Sequence, residues 1–216
     1  MLKRLVYGFL APLFKLAMKG LFRLRVEGLE HVPDDGALLV ARHQSYWDIT
    51  LLIGAIGLRR HILFIARRSL MRNPVFYPFI KYFTVPINRD QFSKADFRRV
   101  ADALEAERLV GIFPEGTTRQ SAEARLGVVR FAERSRKPFL PICLVNDGPY
   151  PPDYPWGFPR ITARIGRPFS LAELKEDIEG LDEMSKQDRD DILTQALMDR
   201  IDRLATEPLS AETPSK

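Results

Sequence analysis

The chain has 216 residues, 45% of them hydrophobic, enough to bury a substantial core and short enough that one domain is the expected organisation. Its formal charge of +5 and pI near 9.4 suit an anionic partner (a membrane surface, a phosphorylated metabolite or a nucleic acid) without choosing among them. The single cysteine, Cys143, excludes an intramolecular disulfide framework and fits a reducing compartment; inside the apolar run from Phe139 to Val145 it reads as a buried structural thiol.

The first 26 residues carry six basic side chains (Lys3, Arg4, Lys15, Lys19, Arg23, Arg25) and no acidic one, interleaved with Leu, Phe, Val and Met. This basic amphipathic pattern suits a helical segment lying in a membrane interface; the alternative is a helix packed on the domain core. The longest uncharged stretch, Leu5 to Phe14, falls short of the roughly 20 apolar residues a bilayer crossing needs. Pro12 is expected to kink the segment or split it into two short helices.

From residue 36 onward, short apolar runs alternate with helical patterns, the order of an α/β domain whose largely parallel central sheet is flanked by helices. Strands are expected at Ala37 to Ala41, Ile62 to Ala66, Thr84 to Ile87, Leu109 to Phe113, Phe139 to Val145 and Ile161 to Ile165. Helices are expected at Trp47 to Ile56, at Ser93 to Arg108, where Phe97, Val100, Ala101 and Leu104 keep helical spacing, at Leu126 to Arg136 and at Ser185 to Ala205. The stretch from Asp147 to Pro159 holds five prolines and two glycines and reads as an ordered loop or lid. The resulting division is an amphipathic membrane-interface segment over 1–26, one α/β domain over 27–206 and a disordered tail over 207–216.

Three blocks carry chemistry. His43 follows the strand ending at Ala41, and Asp48 lies five positions on, at the start of the next helix. If the chain turns between them, the carboxylate reaches one imidazole nitrogen, fixes the tautomer and leaves the other nitrogen to take a proton from a hydroxyl. The structural alternative is an Asp capping a helix beside a surface histidine. His31 and His61 have no carboxylate at that spacing and read as structural. In the second block, Arg89 stands just past the strand Thr84 to Ile87, a place suited to bidentate capture of a phosphate, or to a solvated pair with Asp90. The third runs from Gly111 through Phe113, Pro114, Glu115, Gly116, Thr117 and Thr118 to Arg119, a strand passing into a polar turn. Gly111 and Gly116 mimic the ends of a phosphate-binding P-loop, but Thr117 stands where that loop needs lysine, which disfavours a nucleotide triphosphatase.

Taken in order, these blocks resemble the 1-acylglycerol-3-phosphate acyltransferase family of phospholipid synthesis, over about Val26 to Ile165. The resemblance rests on His-x4-Asp at His43 and Asp48, Pro-Ile-x-Arg ending at Arg89, Phe-Pro-Glu-Gly-Thr from Phe113 to Thr117, and Pro141 within an apolar strand. It implies that His43 acts as base on the acceptor hydroxyl, oriented by Asp48. It further implies that Arg89 binds the acceptor phosphate, and that Glu115 and Gly116, with Thr117 and Arg119 beside them, help bind the acceptor. The implied donor is acyl-CoA or acyl-carrier protein, with no cofactor and no metal; the implied partners are a lysophospholipid and the cytoplasmic face of a membrane, and not nucleic acid. Two positions depart from the pattern: Arg42 stands where the family commonly has Asn, and Thr118 where it has Arg. Both are expected at the acceptor-binding rim.

Direct attack of the acceptor on the thioester is the expected mechanism, since the chain lacks a Gly-x-Ser-x-Gly elbow for an acyl-serine step. The competing classes are the same chemistry on glycerol 3-phosphate or a lyso-aminolipid, a His-Asp dyad hydrolase, and a non-catalytic membrane or nucleic-acid binding module.

Overall fold

The computed structural model describes residues 2–72, 74, 77–88, 93–106, 109–114, 122–152 and 157–206. Seven strands are present among them: β1 (Arg25–Glu27), β2 (Ala37–Ala41), β3 (Ile62–Arg67), β4 (Thr84–Ile87), β5 (Leu109–Ile112), β6 (Phe139–Asp147) and β7 (Arg160–Ile165). The helices are α1 (Leu2–Leu21), α2 (Trp47–Ile56), α3 (Tyr77–Phe83), α4 (Lys94–Glu105), α5 (Ala122–Ser135), α6 (Leu171–Glu176) and α7 (Lys186–Thr206). The strands form one sheet in the order β1-β7-β6-β2-β5-β3-β4, parallel at every pairing except β6 with β7. The expected α/β class with a largely parallel, helix-flanked sheet is what is observed.

Alternation along the central strands divides the core. Ala37, Leu39 and Ala41 of β2 and Leu109 of β5 face the layer of α1 and α2, where Met18, Leu51, Leu52 and Ile56 are buried. Leu38 and Val40 of β2 and Val110 and Ile112 of β5 face the layer of α4, α5 and α7, with Val100, Val128 and Leu197. With both faces covered, the central strands read as continuous apolar runs, which is why β2 appears in the sequence with its observed limits.

Three elements escaped the sequence reading. Strand β1 is only three residues long with one apolar position, and pairs with β7 through Val26 and Ala163; the expected boundary between residues 26 and 27 falls inside it. Helix α3 is aromatic-rich and short, and α6 depends on the capping box of Ser170 and Glu173. Residues 207–216, expected to be a disordered tail, lie outside the described residues.

The N-terminal segment corrects one expectation: α1 is one helix running through Pro12, not two. Pro12 and Gly8, whose carbonyl loses its i+4 donor, both lie on the exposed face, so no unpaired carbonyl is sealed in the core. Tyr7 and Ala11 before Pro12 and Met18 after it are buried, which anchors both halves on the core. At the crossing with α2, a Cβ on Gly54 would lie 3.2 Å from the Met18 side chain, so glycine sets how closely the two helices pack.

Tyr7 locks α1 to the sheet. Its buried hydroxyl accepts the Ile62 N–H at 3.1 Å and donates to the Arg60 carbonyl at 3.4 Å. Burial pushes the phenol up from 10.0 to about 12, against a smaller opposing pull from the Ile62 hydrogen bond. Because the folded value is the higher one, this contribution to stability is intact below pH 10.0 and is lost as pH rises towards about 12. Tyr7→Phe is expected to cost about 1 kcal/mol at neutral pH. It should also remove about 2–3 kcal/mol of alkaline destabilisation, read from urea midpoints across that range.

Candidate active site

Parallel pairing brings the carboxyl ends of β2, β5, β3 and β4 to one edge of the sheet, where α/β folds open their ligand crevice. The loop after β2 carries His43 over that edge, and α2 begins at Trp47. The Asp48 side chain turns back over the loop instead of out from the helix: its Oδ2 accepts the backbone N–H groups of Gln44 at 2.7 Å and Ser45 at 2.8 Å. The same oxygen lies 3.0 Å from His43 Nδ1. A carboxylate can only accept there, so Nδ1 carries the proton and Nε2 the lone pair. Asp48 is 1% exposed, which sets it apart from an ordinary surface capping residue.

Two further groups complete the arrangement. The imidazole stacks on Phe113, centroids 4.3 Å apart and planes 20° from parallel, and Phe113 in turn stacks on Phe64. Gly111 makes room for that pile: a Cβ there would sit 2.4 Å from the Phe64 ring. Asp48 Oδ1 accepts a hydrogen bond from the Tyr150 hydroxyl, in the loop just past β6. The carboxylate thus gathers four donors from two parts of the chain, the loop after β2 and Tyr150. Phe113 stood in a quoted block without a role, and no sequence signal pointed to Tyr150, 102 residues from Asp48.

Of the other residues singled out, Arg89, Glu115, Gly116, Thr117 and Arg119 lie outside the described residues. Their flanks do not. Pro114 leaves β5 beside the His43 loop, because Val40 of β2 pairs with Ile112. Asn88 and Ser93, on either side of the segment holding Arg89, both hydrogen-bond to the buried Asp96, which also pairs with Arg68 at 3.0 Å and Arg99 at 2.7 Å. Burial raises the Asp96 carboxyl, but the Ser93 and Asn88 hydrogen bonds and the Arg68 charge together bring it below the ordinary range.

Arg42, expected at the rim, has a structural partner as well. Its guanidinium pairs with both carboxylate oxygens of Asp202, Nε to Oδ1 at 2.7 Å, and so ties α7 to the end of β2. His31 Nδ1 donates to the Ile165 carbonyl at 2.8 Å and His61 packs against the Tyr7 ring, so both serve the fold. Burial pushes the half-buried Cys143 thiol up, with a further push from Asp202 against smaller opposing pulls from Arg164 and Arg42, which favours the protonated form. Among the described residues, no group of His, Cys, Asp and Glu is placed to hold a metal ion.

A solvent-reachable imidazole with a fixed tautomer, backed by a buried carboxylate and mounted on an aromatic floor, is equipped to accept a proton from a bound hydroxyl or water. Comparison with known proteins narrows the class. The Acyltransferase family model matches residues 23–145, more than half of the chain. The 1-acyl-sn-glycerol-3-phosphate acyltransferase of Bacillus subtilis (strain 168) is 25% identical over 138 residues, 63% of this chain and 69% of that protein. The protein of the same description from Pseudomonas aeruginosa PAO1 is 30% identical over 142 residues, 62% of this chain and about half, 53%, of that protein. In three dimensions the chain resembles the crystal structure of the 1-acyl-sn-glycerophosphate (LPA) acyltransferase PlsC from Thermotoga maritima, with a TM-score of 0.65, 22% identity, and coverage of 95% of this chain and 82% of that one; at that identity the likeness is one of fold. With the family model spanning the strand edge, His43 and Asp48, the chain belongs to the acyltransferase family, the group of O-acyltransferases that includes the 1-acyl-sn-glycerol-3-phosphate enzymes.

Proposed function

We propose that the protein transfers a fatty acyl group from acyl-CoA or acyl-carrier protein to the free hydroxyl of 1-acylglycerol-3-phosphate, giving phosphatidate in phospholipid biosynthesis, with no cofactor beyond the donor. The observation that carries this reading is the 3.0 Å contact between His43 Nδ1 and Asp48 Oδ2 at the strand edge, in a chain of this family. His43 Nε2 takes the hydroxyl proton as the oxygen attacks the thioester carbonyl, and Asp48 steadies the imidazolium that forms. The tetrahedral oxyanion collapses, the C–S bond breaks, and the imidazolium returns the proton to the departing thiolate. Arg89 binds the acceptor phosphate and Glu115 and Gly116 help bind the acceptor, as the family motif implies, with Thr117 and Arg119 beside them in sequence contributing to the same substrate.

The same reading places the enzyme on the cytoplasmic face of a membrane, as a peripheral or monotopic protein. No helix among the described residues is long and apolar enough to cross a bilayer. Helix α1 instead has two apolar stripes: Tyr7, Ala11 and Met18 face the core, while Leu5, Phe9, Leu13 and Leu16 face outward, Phe9 and Leu16 each 70% exposed. Exposed Lys15 and Lys19 flank them, a combination suited to anionic lipid, and the function needs no nucleic acid.

Incubating the protein with a labelled acyl thioester and a panel of acceptors, followed by lipid separation, tests the reading. Label in phosphatidate, dependent on lysophosphatidate, is the expected result. Label carried to glycerol 3-phosphate or a lyso-aminolipid in its place would reassign the acceptor, which the Thr118 and Arg119 departure makes worth testing. Free fatty acid released without any acceptor would mark a hydrolase, and binding without thioester turnover a non-catalytic module.

A further inference from the structure

Asp48 is held by more than the residues of its own motif. We propose that Tyr150 is a positioning residue for the His43–Asp48 pair: its hydroxyl fixes the carboxylate's outer oxygen, so that Oδ2 stays aligned with the imidazole while charge develops on the ring. This rests on the base-catalysed reading above.

The geometry is specific. Oδ2 is occupied by the Gln44 and Ser45 N–H groups and His43 Nδ1. Oδ1 takes the Tyr150 hydroxyl, so rotation about the Asp48 side chain would break bonds at both oxygens. Loops are mobile by default, yet this one is clamped. The Tyr150 ring meets Phe22, at the foot of α1, with centroids 6.4 Å apart, and Phe22 also packs edge-on against Trp47 at 5.3 Å and Phe158 at 5.0 Å. Phe22 is fully buried, and its carbonyl accepts the Ile161 N–H at 3.0 Å. One aromatic cluster therefore fixes the first residue of α2, the Tyr150 loop and the end of α1 relative to one another. A hydroxyl held in this way acts on the reacting imidazole through Asp48.

Tyr150→Phe keeps the ring and its packing and deletes only the donor. It is expected to lower kcat about tenfold, with KM for donor and acceptor changed less than about twofold. In an Asp48→Asn background the same change should have almost no effect. There the two backbone N–H groups demand the amide oxygen at the Oδ2 position, which turns the NH2 towards Tyr150 and leaves no carboxylate for the hydroxyl to hold. The downfield proton resonance of His43 Nδ1–H, recorded without substrate, should also move in Tyr150→Phe. A kcat within twofold of the parent, a change confined to KM, an unmoved resonance, or the same loss in the Asp48→Asn background would each overturn the role. Failure of the catalytic reading itself is distinguishable, because it would appear as full activity in His43→Ala whatever Tyr150→Phe does.

Discussion

Replacing His43 with alanine is expected to lower kcat by about 10³-fold, with thiol release from the acyl thioester as the readout. The size follows from position: Nδ1 is committed to Asp48, so Nε2 is the nitrogen that can receive the hydroxyl proton, and no other described histidine replaces it, since His31 is bonded to the Ile165 carbonyl. Folding should survive. The ring covers Phe113 on one face and its loss leaves Asp48 with three donors, so the expected cost in stability is about 1 kcal/mol, visible as a small shift in the urea midpoint. A folded variant that turns over at the parent rate would remove His43 from the mechanism.

Asp48→Asn separates charge from shape. Asparagine fills the same volume, and its oxygen can still accept from Gln44 and Ser45, so the turn after β2 should persist. What disappears is the negative charge 3.0 Å from the imidazole, needed most when the ring becomes cationic. The expected result is a kcat lowered by about 10²- to 10³-fold with KM for the acceptor nearly unchanged, the pattern of an interaction made chiefly in the transition state. Asp48→Ala should add a folding defect of about 3 kcal/mol, because two backbone N–H groups and the Tyr150 hydroxyl would then face a void. Equal activity of Asp48→Asn and the parent would show that the carboxylate serves only the fold.

Helix α1 illustrates how far local pattern carries. Its basic, acid-free composition pointed to a membrane interface, with packing on the core as the alternative; in the structure the stripe through Tyr7 and Met18 is buried on the core and the stripe through Phe9 and Leu16 is exposed. Composition counts both stripes together and cannot say which faces inward. Pro12 does not split the helix for a related reason, since its local cost is outweighed by burial on both sides of it.

Strands β2 and β4 and helix α2 have the limits their residues announce; for β2 the reason is that a fully apolar strand bounded by polar turns leaves little freedom of assignment. The His43–Asp48 contact was equally legible: five residues across a strand-to-helix turn form a local structure, and local structure is what spacing encodes. Strand order is not local. Only the placing of β6 and β5 on either side of β2 brings Tyr150 to Asp48 and Phe113 beneath His43. Arg42 likewise lies 160 residues from the Asp202 it binds. The amino-acid sequence by itself determined most of the elements and the pairing of His43 with Asp48, whereas the distant donor and rings packed around that pair were decided by tertiary structure, since hydrogen bonds and stacking between distant segments depend on which strands are neighbours.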